Sequence, residues 1–251
     1  MRHMLTISLV LAFCISLTAS FAPAADQPKI KALLITGDDV KAHPWKEICE
    51  GTKGALAESG RFDVTVAEDW SPLEDKDALA KYDVIVWTRF NAKKLPISEA
   101  AQGNLLSFVK GGKGFVVTHL ASASFPKWDE WSTLCGRHWI MGKSGHGPRS
   151  VFETKIVDKD HPITKGLSAF KQDDELYAKL VGDTEIHVLV TADSAWSKKT
   201  EPLAFILEYG KGKVFHSAFG HDGKALATPE GRAAAWSALY STVSRPFARP
   251  E

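Results

Sequence analysis

The sequence has 251 residues, of which 44% are hydrophobic and 24% are charged, and its formal net charge is +1 at pH 7. This composition is typical of a soluble globular protein, and the length suffices for one large domain with its own core. Acids and bases nearly balance and form no long run, which argues against nucleic acid or an anionic membrane surface as a partner. The sequence also lacks a Walker loop, a GxGxxG motif, an HExxH motif and a CxxC zinc site, so it indicates no nucleotide or flavin cofactor.

The first residues predict export. Arg2 precedes an apolar stretch over residues 5–17, and small residues follow at Ala22 and Ala24. The stretch is too short to span a bilayer, so we interpret residues 1–24 as a cleaved secretory signal rather than a retained anchor. We therefore expect a periplasmic or secreted protein that has no membrane attachment after cleavage. Its sequence is compatible with a homo-oligomer but indicates no oligomeric state.

Two cysteines, Cys49 and Cys135, lie beyond this leader. They could form one disulfide in an oxidising compartment or remain two buried thiols. Their spacing does not decide between these alternatives.

The next part of the chain alternates apolar strands with helices. Continuous β-branched runs predict four strands, at residues 30–36, 62–67, 84–87 and 115–118. One helix is expected from Pro44 to Gly60, and a second begins after an N-cap at Ser98 and ends at Gly111. The predicted order is strand, helix, strand, strand, helix, strand. Apolar runs without alternation favour an α/β fold whose parallel sheet is covered by helices on both faces.

The fourth strand ends at His119, between a glycine-rich turn at residues 111–114 and small residues at 121–124. In open α/β sheets ligands bind at this end of the strands, so we expect His119 to be exposed there, before a sharp turn. Many α/β hydrolases carry a nucleophile at this kind of turn. Here the segment contains neither a cysteine nor a G-x-S-x-G motif, and Ser122 and Ser124 have no further support. Covalent acyl chemistry is therefore disfavoured.

Residues 125–147 are rich in aromatic residues, histidine and glycine and lack a regular period, which favours a functional insertion. The alternating segment 150–157 predicts a half-solvated antiparallel strand, and residues 161–166 predict a turn. The remaining expected elements are strands at 185–191, 203–209 and 214–218 and a closing helix at 229–243. The sheet should therefore carry an antiparallel extension.

Histidines stand at several predicted strand ends. His43 follows the first strand, His119 the fourth and His221 the last. The carboxyl ends of parallel strands lie at one edge, so we expect these three to share a site with His138 or His146 from the insertion. Neutral imidazoles beside carboxylates bind divalent ions such as Zn²⁺, and without a metal they act as general acids and bases. No fixed His-x-x-His spacing selects one of these roles.

Glu175, within the acidic segment 173–177, is the carboxylate candidate, with a solvated acidic turn as the alternative. Aromatic side chains that could stack on sugar rings are Trp45, Trp128, Trp131, Trp139 and Tyr177. Core packing is the alternative for each of them.

Several short motifs occur in an order that resembles the ThuA-like (trehalose-utilisation) family. They are Gly37, His43-Pro44-Trp45, Gly111–His119, His161–Gly166, Asp174–Tyr177 and Gly210–Asp222. The resemblance implies a single domain over residues 29–245 with a flavodoxin-like, doubly wound sheet. It also implies a relationship to class I glutamine amidotransferases without their catalytic cysteine, and a role in carbohydrate metabolism linked to 3-keto-glycosides.

The favoured hypothesis is an enzyme that acts on an oxidised sugar or glycoside. A 3-keto group acidifies the C2 proton, so a base could remove it, the C1 substituent could leave and water could then add; metal-assisted direct hydrolysis is a close variant. The alternatives are a non-catalytic carbohydrate-binding or accessory domain, and an amidotransferase-like hydrolase with Ser122 as nucleophile. The candidate catalytic residues are His119, His138, Glu175 and His221. The candidate metal ligands are His119 and His221. The candidate substrate-binding residues are Asp38, His43, Trp45, Trp139, Tyr177 and Asp222.

Overall fold

The structure is a computed structural model that describes residues 28–38 and 40–227. The predicted signal at residues 1–24 and the closing helix at 229–243 lie outside the described residues. Within the described ranges, no helix has the length and apolar character needed to cross a membrane.

Strands and helices alternate through the first half of the described chain. The strands are β1 (Ile30–Ile35), β2 (Phe62–Ala67), β3 (Val84–Trp87), β4 (Gly114–Thr118), β5 (Gly145–His146), β6 (Ser150–Ile156), β7 (Lys171–Asp174), β8 (Tyr177–Ala178), β9 (His187–Asp193), β10 (Thr200–Tyr209) and β11 (Gly212–Ser217). The α-helices are α1 (Trp45–Glu58), α2 (Lys76–Ala80), α3 (Glu99–Lys110) and α4 (Asp129–Cys135).

Nine of these strands form one sheet, in the order β2-β1-β3-β4-β11-β10-β9-β6-β7. Strands β2, β1, β3, β4 and β11 are parallel, whereas β10, β9, β6 and β7 pair antiparallel. The predicted doubly wound α/β sheet with an antiparallel extension is therefore confirmed. The short strands β5 and β8 form a separate antiparallel ribbon.

Successive residues of the central strands supply two separate cores, because neighbouring side chains in a strand point to opposite faces. Leu33 and Ile85 pack in one cluster with residues of α3 and α4. Leu34 and Val86 pack in the other with residues of α1. Helices thus cover both faces, as the continuous apolar runs predicted.

The cysteines belong to opposite sides of this sheet. Cys49, on α1, packs in one core cluster, and Cys135, on α4, packs in the other. Both are buried free thiols. The sheet separates them, so the disulfide alternative is wrong.

Three local expectations need correction. A short helix that the sequence analysis missed, α2, connects β2 to β3, and Asp75 caps it by accepting hydrogen bonds from two backbone N–H groups. The insertion contains α4, whose Trp131 is fully buried, and Trp128 packs against the same cluster. These two tryptophans therefore belong to the core rather than to a sugar-stacking surface. His119 is 2% exposed instead of standing free at the strand end.

Candidate metal centre

Four side chains from four separate segments meet at the carboxyl edge of the parallel strands. His43 lies between β1 and α1, His119 follows β4, and His221 follows β11. Glu175 lies in the two-residue connection between β7 and β8. One ligand atom from each residue lies within 4.8 Å of the others. The predicted convergence of the three histidines is thus observed, and Glu175 joins them.

The carboxylate of Glu175 lies at the middle of this group. Its Oε2 is 3.6 Å from His43 Nε2, 3.5 Å from His119 Nε2 and 3.2 Å from His221 Nδ1. Ligand atoms about 2.1 Å from a tetrahedral ion are separated by about 3.4 Å, so these spacings suit such an ion. The side chains are between 3% and 13% exposed.

The atoms that face one another are buried and make no hydrogen bond to any described residue. They are His43 Nε2, His119 Nε2, Glu175 Oε2 and His221 Nδ1. A buried polar atom without a partner costs about 1–3 kcal/mol, so four at one point are unusual in a folded core. Three imidazole nitrogens and one carboxylate oxygen are the ligand types that Zn²⁺ and related divalent ions prefer. The residues present therefore fit a divalent metal ion.

The protonation states of these residues also favour metal binding. Burial lowers the pKa of His43, which favours its neutral imidazole. Burial by itself raises the pKa of Glu175, but the imidazoles of His119, His43 and His221 around the carboxylate outweigh burial and hold this pKa well below its ordinary value. Neutral imidazoles beside an ionised carboxylate are the forms that bind a metal.

The orientation of His119 is fixed from two sides. Its Nδ1 lies 2.7 Å from Ala218 O and donates a hydrogen bond to it, which leaves Nε2 to face Glu175. Its ring stacks on Tyr177, with centroids 3.9 Å apart and planes inclined by 25°. Its backbone φ of 46° allows the chain to turn immediately after β4. Tyr177 is 1% exposed, so it supports His119 instead of offering a face to a sugar.

Asp174 connects two of the donor segments, a role that the sequence analysis missed. It is fully buried, and its carboxylate accepts the backbone N–H groups of Glu175 at 2.8 Å, Gly220 at 2.8 Å and His221 at 3.3 Å. A single carboxylate thereby fixes both the Glu175 backbone and the loop that carries His221.

His146, rather than His138, is the insertion histidine that approaches this group. His146 Nε2 lies 3.6 Å from Glu175 Oε2, and its side chain is 32% exposed. Its Nδ1 lies 2.6 Å from Gly147 O, which leaves Nε2 toward the centre. His138 is 5% exposed and pairs through its backbone with Val181, and burial lowers its pKa. His138 is not one of the residues grouped around Glu175.

A small space of about 20 Å³, enough for about one water molecule, adjoins His43 and His119, and Asp38 and Trp45 also line it. The Asp38 side chain is 1% exposed, and its carboxylate lies 3.7 Å from Arg89 Nη2. Its Oδ1 makes no hydrogen bond to a described residue. The structure thus brings these candidate substrate-binding residues to one space beside the centre.

The remaining candidates surround the centre. Asp222 forms an ion pair with Arg149. Burial raises the pKa of Asp222, but the hydrogen bond from Arg149 outweighs this effect and lowers it. Trp139 lies against Tyr177, with ring centroids 4.4 Å apart, and 5.8 Å from the ring of His146.

The serines after β4 are not placed to act as nucleophiles. Ser122 is fully buried, and its hydroxyl donates to His119 O at 3.0 Å. Ser124 is 2% exposed and donates to Arg89 O at 2.8 Å. This geometry does not support an amidotransferase-like hydrolase.

The family described as ThuA, trehalose utilisation, matches residues 31–240. No functionally curated protein matches the chain. A solved ThuA-like protein from Parabacteroides merdae ATCC 43184 is 26% identical, with a TM-score of 0.75 over 89% of this chain and 93% of that one. A ThuA-like protein from Bacteroides uniformis ATCC 8492 is 18% identical, with a TM-score of 0.72 over 89% of this chain and 95% of that one.

A β-galactosidase from Rahnella sp. R3 is similar over 87% of this chain but only 32% of its own, at 15% identity and a TM-score of 0.60. That likeness concerns the fold alone.

Proposed function

This chain belongs to the ThuA family of trehalose utilisation, and on that premise we propose that it is a metal-dependent enzyme that cleaves oxidised (3-keto) glycosides. The family description supports the carbohydrate class of the substrate. The catalytic role is argued from the centre itself, because fold alone does not determine function.

The observation that carries the proposal is the convergence of four buried, unpartnered donor atoms from His43, His119, Glu175 and His221. A carbohydrate-binding module recognises sugars with hydrogen bonds and aromatic faces. Such recognition gives no reason to bury four polar atoms against one another without hydrogen-bond partners. Metal ligation satisfies all four atoms at once. These four residues would hold the ion.

When bound, a divalent ion at this centre would polarise the substrate's carbonyl oxygen or activate water. A 3-keto group makes the C2 proton acidic, and His146 Nε2 is the nitrogen placed to remove it. The electron pair of the C2–H bond then forms the C1–C2 double bond while the C1–O bond breaks. The departing oxygen takes up a proton and leaves as an alcohol. Water then adds its hydroxyl to C1 and a proton to C2, so the net reaction is hydrolysis.

His146 is suited to this proton transfer because it combines contact with the centre and access to solvent. Its side chain is 32% exposed, against 3% for His119 and 12% for His43. Its Nδ1–H is engaged by Gly147 O, so Nε2 carries the lone pair.

The test is incubation of the zinc-loaded protein with a 3-keto-glycoside in deuterated water. Elimination followed by hydration releases the alcohol and places deuterium at C2 of the product beyond the spontaneous exchange of the free ketone in the same buffer, whereas direct hydrolysis adds none beyond that exchange. His146→Gln should lower kcat by about 10²–10⁴-fold while metal stoichiometry is unchanged. His187→Gln is the matched control, because His187 lies on β9 and pairs with Asp158.

Saturable sugar binding without turnover would refute the enzyme and favour a non-catalytic binding domain. Full activity of His146→Gln would refute the assignment of the base but not the enzyme.

A further inference from the structure

Arg149, in the connection between β5 and β6, binds two carboxylates that flank the metal ligands. Its Nη1 donates to Asp222 Oδ2, and its Nη2 donates to Asp222 Oδ1 at 3.3 Å. Its Nε donates to Asp173 Oδ1 at 3.0 Å. Asp222 directly follows His221, and Asp173 lies two residues before Glu175. One guanidinium group therefore joins the β5–β6 connection to both segments that supply these two ligands.

The pair with Asp222 is the stronger of the two. Both oxygens of Asp222 accept from the guanidinium group, and its side chain is 16% exposed, whereas that of Asp173 is 55% exposed. A partly buried arginine–carboxylate pair with two contacts fixes geometry, while an exposed ion pair contributes little. Asp222 is itself held in place, because its Oδ1 also accepts the N–H of Ala225 at 2.9 Å. Arg149 is thus anchored chiefly to the loop that follows β11.

His146 lies three residues before Arg149, between two anchors of its segment. Its Nδ1 bonds to the carbonyl of its own neighbour Gly147, so this bond orients the ring without joining it to another segment. On the N-terminal side, Ser144 Oγ donates to Lys179 O at 2.9 Å. On the C-terminal side, the corresponding anchor is Arg149.

The two anchors join His146 to different parts of the centre. Ser144 and the pairing of β5 with β8 connect it to the segment after Glu175. Arg149 connects it to the loop of His221. Three residues span at most about 11 Å, so the second anchor limits how far His146 can move from this loop. A displacement of about 1 Å can cost about 10²-fold in rate, so the second anchor matters for a proton transfer.

Other roles for Arg149 are less well supported. Its Nε, Nη1 and Nη2 all donate to carboxylate oxygens, so an anionic substrate would have to displace Asp173 or Asp222. The loop of His221 has a separate support, because Asp174 accepts its backbone N–H at 3.3 Å. Loss of Arg149 should therefore leave the metal ligands in place.

We propose that Arg149 is a positioning residue, which holds the base His146 at the metal centre through its ion pair with Asp222. This inference rests on the proposed function and deepens it, because it assigns the placement of the base to a residue outside the metal ligands. In this role Arg149 touches no reacting atom. Its loss should lower kcat and kcat/KM equally, since it affects a group that acts in the transition state.

The first test is turnover of methyl 3-keto-α-glucoside by the zinc-loaded protein. Arg149→Met should lower kcat by about 10²-fold, with an unchanged KM and an unchanged zinc Kd. Arg149→Lys keeps the charge but lacks the planar fork for two contacts, so its kcat should fall between. Lys155→Met is the matched control, because Lys155 is an exposed cation on β6 that pairs with Asp193. It should change neither kcat nor the zinc Kd.

The second test needs neither metal nor turnover. The ring centroids of His146 and Tyr177 lie 5.8 Å apart, so the nuclear Overhauser effect between their ring protons reports whether His146 keeps its place. Arg149→Met should weaken this effect, and Lys155→Met should not. Asp222→Asn breaks the same ion pair from the other side and should weaken it as well, so the test remains decisive if Arg149→Met fails to fold.

An undiminished Overhauser effect in Arg149→Met or Asp222→Asn would overturn the positioning role. A zinc Kd that rises about tenfold or more in Arg149→Met would also overturn it, because Arg149 would then support the whole centre. The proposed enzyme fails separately. A wild type without turnover, whose His146–Tyr177 contact depends on Arg149, would keep the placement and refute the enzyme. Loss of that contact with an unchanged kcat would keep the placement and refute His146 as the base.

Discussion

Asp174→Asn should weaken metal binding although Asp174 is not itself one of the four converging donors. Its Oδ2 accepts the N–H of Gly220, and its Oδ1 accepts the N–H groups of Glu175 and His221. Both oxygens are therefore occupied as acceptors. In either orientation of an asparagine amide, its NH₂ group would face at least one backbone N–H at a fully buried position.

The size of the effect follows from these bonds. A hydrogen bond to a charged group contributes about 1.5–3 kcal/mol, and here such bonds fix the backbone of Glu175 and the loop of His221. Residues that orient metal ligands typically change metal affinity by about 10–100-fold, equivalent to about 1.4–2.7 kcal/mol. We expect the zinc Kd of Asp174→Asn to rise by this factor.

The assay is competitive zinc titration of chelator-treated protein, together with the visible spectrum of its Co²⁺ form, which reports ligand geometry. Asp173→Asn is the matched control, because this neighbouring side chain is 55% exposed and pairs with Arg149 at the surface. The control should bind zinc as wild type does. An unchanged zinc Kd and an unchanged Co²⁺ spectrum in Asp174→Asn would show that Asp174 does not position the metal ligands.

Two further predictions concern stability. Burial lowers the pKa of His216 from 6.5 to about 4, so between these pH values the unfolded chain binds a proton that the folded chain does not. The free energy of unfolding should therefore fall by about 3 kcal/mol as the pH drops from 6.5 to 4. Denaturant titrations at several pH values should show that the free energy of unfolding of His216→Asn falls by about 3 kcal/mol less than that of wild type between pH 6.5 and pH 4. The same pH dependence in both proteins would contradict this expectation. Because Cys49 and Cys135 lie in separate cores, a reductant should leave Tm unchanged and both thiols should titrate after denaturation, whereas a reductant-dependent fall in Tm would disprove this.

The parallel half of the fold was accessible from sequence because strands buried on both faces leave continuous apolar runs. The run at residues 84–87 coincides with β3, whose four residues are all buried. The predicted strand at 62–67 coincides with β2, although β2 lies at the edge of the sheet and only its Phe62 is buried. The five-residue helix α2 was missed, because it is too short to show a helical period. The exposure of His119 was misjudged, since burial at a strand end depends on Tyr177, which is distant in the sequence.

The candidate site likewise contains residues that the sequence predicts and residues that it does not. Strand ends brought His43, His119 and His221 to one edge, since the topology of a parallel sheet dictates it. The choice between His138 and His146 rests on β5, a two-residue strand without a recognisable pattern. The role of Asp174 could not be predicted from the sequence either, because an acidic cluster has the same composition whether it is solvated or accepts hydrogen bonds from buried N–H groups.

The proposed function depends on His43, His119, Glu175 and His221 forming a metal centre. Titration of chelator-treated protein with Zn²⁺, with elemental analysis of the product, tests it most directly. We expect one ion per chain, with affinity lower by at least about 100-fold in Glu175→Gln and retained in His187→Ala. Wild-type protein that binds no stoichiometric zinc, or a Glu175→Gln variant that binds it as tightly as wild type, would contradict the claim.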